Sequence, residues 1–177
     1  MRAISVLMAC TLLCGCQRTA ADAQARKEQV AVGQDMPDLF KINDFVFDRY
    51  FKVGYDKLSQ PQKVFVCVWE LEGEVNNGGF DQYYFNSSGD HALDATASLE
   101  TIDAKHTANL VRQVNALFGE AGPSADRFAR QKQLDALDDA KRTAMNQIDR
   151  EFYKYKDKLG QLLEMFVSKN ADAFRSK

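Results

Sequence analysis

The sequence predicts an all-α protein, with about seven or eight helices in a single domain behind an N-terminal leader. Three observations carry this. Apolar residues recur at helical spacing along most of the chain, its 177 residues include only three prolines, and no strand-like alternation persists.

The leader comes first. Arg2 is followed by an uncharged run from Ala3 to Gly15 and then by Cys16. Such a run is a secretory apolar region, too short to cross roughly 30 Å of hydrocarbon as a helix. The ending Leu13-Cys14-Gly15-Cys16 looks like a bacterial lipobox. It makes residues 1–16 a lipoprotein signal peptide and Cys16 the lipidated residue. Cys14 is the poorer attachment point, because Leu12 and Leu13 would crowd the cleavage site. Residues 17–35 are mostly Ala, Gln and charge, and read as a flexible tether reaching roughly 25 Å. Gln17, directly after the acylated cysteine, fits sorting to the periplasmic face of the outer membrane.

Residues 36–177 suit one helical domain with a substantial core. Once the signal is removed and Cys16 is acylated, Cys67 is the domain's single cysteine, so no internal disulfide can form. It lies in Val64-Phe65-Val66-Cys67-Val68-Trp69 and reads as a buried, inert thiol.

The elements follow in order. Phe47, Tyr50, Phe51, Tyr55 and Leu58 fall on one helix face. Ser59-Gln60-Pro61-Gln62 is a capping box with proline in the first turn. The stripe Val64, Cys67, Val68, Leu71, Val75 follows. Its β-branched start could be a strand, but the cap and a length of about fifteen residues favour a mostly buried helix. Asn77-Gly78-Gly79 ends it. Ala92, Ala95, Leu99 and Ile102 mark the next helix, with Asp90 as its cap. Leu110, Val111, Val114, Leu117 and Phe118 give a clean amphipathic helix that Gly119 to Pro123 terminates. Ser124 caps a weaker one through Phe128 and Leu134. Met145, Ile148 and Phe152 mark another, and Leu159, Leu162, Leu163, Phe166 and Val167 the last.

Charge is unevenly placed. The net charge is −2, yet Val64 to Ala104 contains eight acids and no Lys or Arg. One reading is two halves that attract each other within the globule. The other is an acidic face, formed by Glu70, Glu72, Glu74, Asp81, Asp90 and Asp94, that attracts a basic partner.

Reaction centres are hard to find. His91 lies near Asp90 and Asp94, but no second histidine or cysteine is close enough in sequence to complete a metal site, and His106 is equally isolated. Ser87 and Ser88 lack the strand-turn-helix setting of a nucleophile. Gly78-Gly79 is not followed by a phosphate-binding pattern. Glu70 and Glu74 share a helix face, which is more often solvated than catalytic. No catalytic residue, metal or cofactor is assigned.

The densest stretch is Asn76-Asn77-Gly78-Gly79-Phe80-Asp81-Gln82-Tyr83-Tyr84-Phe85-Asn86-Ser87-Ser88-Gly89-Asp90. Its glycines and asparagines should turn the chain twice while Phe80, Tyr83, Tyr84 and Phe85 fill the core. Its functional alternative is an amide-and-tyrosine-lined cleft gripping a peptide or another ligand. With Glu74 and Val75 before it, this run resembles the signature of the DNA-mimic protein 19-like family. The resemblance extends more loosely through the Ala92 to Ile102 helix, Asp149-Arg150-Glu151-Phe152-Tyr153, and Phe166-Val167-Ser168-Lys169-Asn170.

That resemblance implies an all-α domain, often a homodimer. In the founding member it implies an acidic surface imitating duplex phosphates. A mimic needs dense carboxylates, whereas this chain is nearly balanced and carries an export signal. The expectation is therefore a membrane-anchored, non-enzymatic lipoprotein domain that binds an unidentified, basic protein partner and makes no direct contact with nucleic acid. A DNA-mimic-type inhibitor of a basic nucleic-acid-binding protein, or an immunity-like inhibitor of a toxin nuclease, is the alternative. A hydrolase using Asp81 with His91 ranks last.

Overall fold

The computed structural model describes residues 36–175. The leader, Cys16 and the tether lie outside them. Among the described residues there are seven α-helices, three short 3-10 turns and no strand. The helices are α1 (Leu39–Val53), α2 (Gln60–Phe85), α3 (Ala92–Thr101), α4 (Lys105–Leu117), α5 (Arg127–Asp135), α6 (Asp139–Phe152) and α7 (Leu159–Lys169).

The architecture is organised around α2. It packs against α1, α3, α5, α6 and α7, while α4 crosses α3 and α6. Val64, Phe65, Val66, Cys67 and Val68 are all 2% exposed or less, so this stretch of α2 is buried on every side. That explains why a β-branched run is helical here. A helix surrounded by neighbours needs no polar face, and packing overrides local propensity. Each fully buried Val or Phe in this run stabilises by about 1.5–3 kcal/mol.

The ends are set locally. Asp38 caps α1, accepting from the Phe40 and Lys41 N–H groups. At Ser59 the capping box forms, with the Ser59 N–H donating to Gln62 Oε1 at 3.0 Å. Asp126 and Asp138 cap α5 and α6. Asp157, from the loop after α6, accepts from the Thr107 N–H and hydroxyl and so caps α4 from a distance.

Several expectations need correction. Tyr55 and Leu58 do not continue α1, because Gly54 at φ 83° ends it and Tyr55–Lys57 forms a separate 3-10 turn. Phe51 and Phe128 point outward, at 81% and 75% exposure. Asp90 does not cap α3; it lies in the Ser87–His91 turn and its carboxylate is held by Arg130. Ser124 does not cap α5, since Asp126 takes that position and its own N–H donates to Ser124 Oγ.

Candidate functional site

The glycine-rich stretch breaks α2 and then restarts it. Gly78 (φ −158°, ψ 25°) and Gly79 (φ 73°, ψ −175°) leave helical geometry, and the helix resumes at Phe80. Only glycine suits position 79, where φ is left-handed and a Cβ would meet Asp149 Oδ2 at 2.7 Å. A break exposes backbone groups that must find partners. Two residues of α6 and its end supply them. The Tyr153 hydroxyl donates to the Val75 carbonyl at 2.8 Å, and Asp149 Oδ1 accepts from the Phe80 N–H at 2.8 Å. Asp149 thus acts as an N-cap delivered by another helix. Burial pushes its carboxyl above the usual range, opposed by that same hydrogen bond.

The polar side chains of the stretch converge on Glu74. Gln82 Nε2 and Asn86 Nδ2 donate to its Oε2 at 2.6 and 2.9 Å, and Ser88 Oγ donates to its Oε1 at 3.1 Å. Charge-assisted bonds of this kind fix the restarted segment against the first half of α2. Phe80, Tyr83 and Tyr84 then enter the core, with the Tyr84 hydroxyl donating to Asn115 Oδ1 at 2.6 Å. Phe85 does not join them. It is 49% exposed, because the inward face of the short segment runs through positions 80, 83 and 84.

The second turn of the chain is clamped by Arg130, which is fully buried. Its Nε donates to the Tyr84 carbonyl at 2.7 Å and Nη1 to the Ser124 carbonyl at 2.8 Å. Its Nη2 donates to the Asn86 carbonyl at 2.8 Å and to Asp90 Oδ1 at 2.6 Å. Gly89 makes room for it, since a Cβ there would lie 2.6 Å from Nε and 2.8 Å from the Tyr83 carbonyl oxygen. Arg130 had no separate signal in the sequence. The one available hint was its i, i+4 relation to the buried Leu134, which places it on the inward face of α5.

Beside this packed region, α1 and α2 enclose an open cleft of about 860 Å³. Its α1 wall carries Asp44, Phe47, Asp48 and Phe51, and its α2 wall Trp69, Glu70, Glu74 and Asn77, with no Lys or Arg among the lining residues. Glu70 and Glu74 are one helical turn apart but differ sharply. Glu74 has three donors, whereas Glu70 Oε2 is buried with no hydrogen-bond partner. Burial, then the neighbouring carboxylates of Glu74 and Asp90, push the Glu70 carboxyl up to about 7.

The six acids proposed for one face therefore separate. Glu70 and Glu74 meet in the cleft. Asp90 is held by Arg130 and lies 3.6 Å from Arg127. Glu72 accepts from the Tyr155 hydroxyl at 3.1 Å, and that hydroxyl also receives Asn76 Nδ2. Asp81 is 3.6 Å from Arg142. Asp94 accepts from the Tyr55 hydroxyl. His91 stacks on Tyr55 at 3.5 Å between ring centres, and its Nε2 is 3.0 Å from the Tyr50 hydroxyl. Asp81 and His91 are engaged by different partners, so the pairing a hydrolase would require is not formed. Tyr55 also reaches Cys67 Sγ at 3.1 Å, and burial pushes that thiol up to about 11.

With both segments of the motif now seen to build one break, the comparison with known families is direct. The family described as DMP19-like protein matches residues 56–170. The chain belongs to the DMP19-like family. In this DMP19-like domain the match spans the whole of α2, the Arg130 clamp and the α6 residues that patch the break. No curated protein and no solved structure matches the chain.

Proposed function

We propose that this DMP19-like chain is a lipid-anchored, non-enzymatic domain that holds a protein partner at the cell envelope. The observation that supports it is the contrast around α2. The motif's polar groups and Glu74 are occupied in holding the break together, while the neighbouring cleft, with no basic residue lining it, shows Asp44 and Phe51 to solvent and leaves Glu70 Oε2 without a hydrogen-bond partner. Cys16, followed by the tether, is the attachment point. The partner surface is basic, drawn by Asp44, Glu70 and Glu74.

Two measurements test this. Capture of the partner from native envelopes should weaken steeply between about 50 and about 300 mM salt; salt-insensitive capture counts against the acidic cleft. Mass spectrometry of the mature N-terminus should find diacylglycerol on Cys16, and an intact Met1 would remove the anchor. Asp81→Ala and His91→Ala should both leave partner binding measurable.

A DNA-mimic-type inhibitor is the second reading, favoured by family membership and by the basic-residue-free run from Val64 to Ala104. Asp90 and Asp81 weigh against it, because arginines already neutralise them. Duplex DNA should compete with the chain for its partner under this reading and not under the first.

A further inference from the structure

Building on the partner-binding reading above, we infer that the cleft between α1 and α2 receives a cationic amphipathic segment of a protein. The segment's apolar side lies on the aromatic edge of α1, and one arginine or lysine side chain is directed at Glu70.

One edge of α1 carries aromatic rings that remain largely in solvent. Phe40, Phe47 and Phe51 are spaced by seven and four residues, so they share one side of α1. Phe40 is 74% and Phe51 81% exposed, on a helix whose single fully buried side chain is Val46. Trp69 extends this edge onto α2, its ring 5.5 Å from that of Phe40. Exposed aromatics gathered along one helix edge mark a contact surface rather than ordinary surface scatter.

Charge selects the occupant. Asp44, Glu70 and Glu74 lie in the same cleft, while Asp48 at its edge is paired with Lys52 at 2.6 Å. Glu70 Oε2 is shielded from solvent and lacks a donor, a condition that an incoming ammonium or guanidinium would relieve. An anionic lipid surface or a nucleic-acid backbone meets repulsion here. Two copies of the chain placed face to face would oppose acid to acid. Among the described residues no group of three or more His, Cys, Asp or Glu is arranged to hold a metal ion. A volume of about 860 Å³ suits side chains of a laid-down segment, the helix-in-groove mode of recognition.

The test uses the mature full chain carrying Cys16→Ser, so that no lipid anchor inserts into the control vesicles; its single tryptophan is Trp69. A synthetic Leu/Arg amphipathic peptide of about 18 residues is titrated while Trp69 emission is followed. A control peptide carries Glu in place of Arg, and phosphatidylglycerol vesicles serve as a second control. The Leu/Arg peptide should bind saturably and shift the emission, and neither control should. Glu70→Gln, Asp44→Asn and Phe51→Ser should each weaken binding by at least about tenfold, and Glu120→Gln should not. Unchanged affinity in the cleft variants overturns the inference. So does equal binding of the Glu peptide, binding of the vesicles, or an emission shift that tracks self-association without peptide. Photo-crosslinkers placed in turn at Phe51 and at the equally exposed Phe128 separate the two levels of the proposal in native envelopes. A protein crosslinked from Phe128 alone leaves partner binding standing and removes the cleft as its site. No crosslink from either position counts against both.

Discussion

Two regions of α2 lie side by side and treat their polar groups in opposite ways. At the break, backbone and side-chain groups that the chain frees are met from within. Val75 O finds Tyr153, Phe80 N–H finds Asp149, and Glu74 finds three donors. One turn earlier, Glu70 lies buried with a bare oxygen, facing a helix that shows Phe51 to solvent. The first region is finished by the fold. The second is left incomplete by it, at a cost in stability. The difference teaches that a motif dense in asparagine, tyrosine and glycine is here a device for bending a buried helix, while the less conspicuous Glu70 beside it keeps an unsatisfied carboxylate oxygen.

Breaking the finished region should cost most. Arg130→Met leaves the carbonyls of Tyr84, Asn86 and Ser124 and the Asp90 carboxylate without their donor. Urea unfolding should register a loss of about 3–5 kcal/mol. Gly79→Ala comes next, because it combines a left-handed φ of 73° with the 2.7 Å approach to Asp149. Its expected cost is about 1–3 kcal/mol, read as a lowered melting temperature. Smaller still, Asp149→Ala and Tyr153→Phe each remove one partner of the break. Each should cost about 1 kcal/mol, with hydrogen exchange at the Phe80 amide faster in the first and the Phe80 amide still protected in the second.

How much of this could be read from the sequence follows from the range of each interaction. The Ser59–Gln62 box and the apolar stripes of α2, α4, α6 and α7 are local, and they were legible. So was a break at Gly78-Gly79, since glycine pairs disrupt helices wherever they fall. The restart at Phe80 was not legible, because its cap arrives from Asp149, 69 residues away. Arg130 was hidden for a related reason. A charged residue reads as solvated, and two of the carbonyls that make its burial tolerable, those of Tyr84 and Asn86, lie more than forty residues upstream. Taking Asp90 as a cap failed because Arg130 claims it. Phe85 was assigned to the core from its type alone, and only the phase of the restarted helix turns it outward. The cleft combines α1 with α2, and nothing in either helix alone announces that pairing.

The comparison is tested most directly on its two carboxylates, by urea unfolding of Glu70→Gln and Glu74→Gln at pH 8 and pH 5. The Glu70 carboxyl is raised to about 7 from an ordinary value of 4.5. Folding therefore favours its protonated form. The stability it contributes is fully present below about pH 4.5 and is lost as pH rises through about 7. Glu70→Gln should be more stable than the parent at pH 8, by about 1 kcal/mol, and should lose most of that advantage at pH 5. Glu74→Gln, which sets an amide donor against Gln82, Asn86 and Ser88, should be less stable than the parent at pH 8 by a similar amount. Opposite signs at pH 8 are the predicted result. Two losses of similar size there would mean that both carboxylates are built into the fold alike, and would contradict the account.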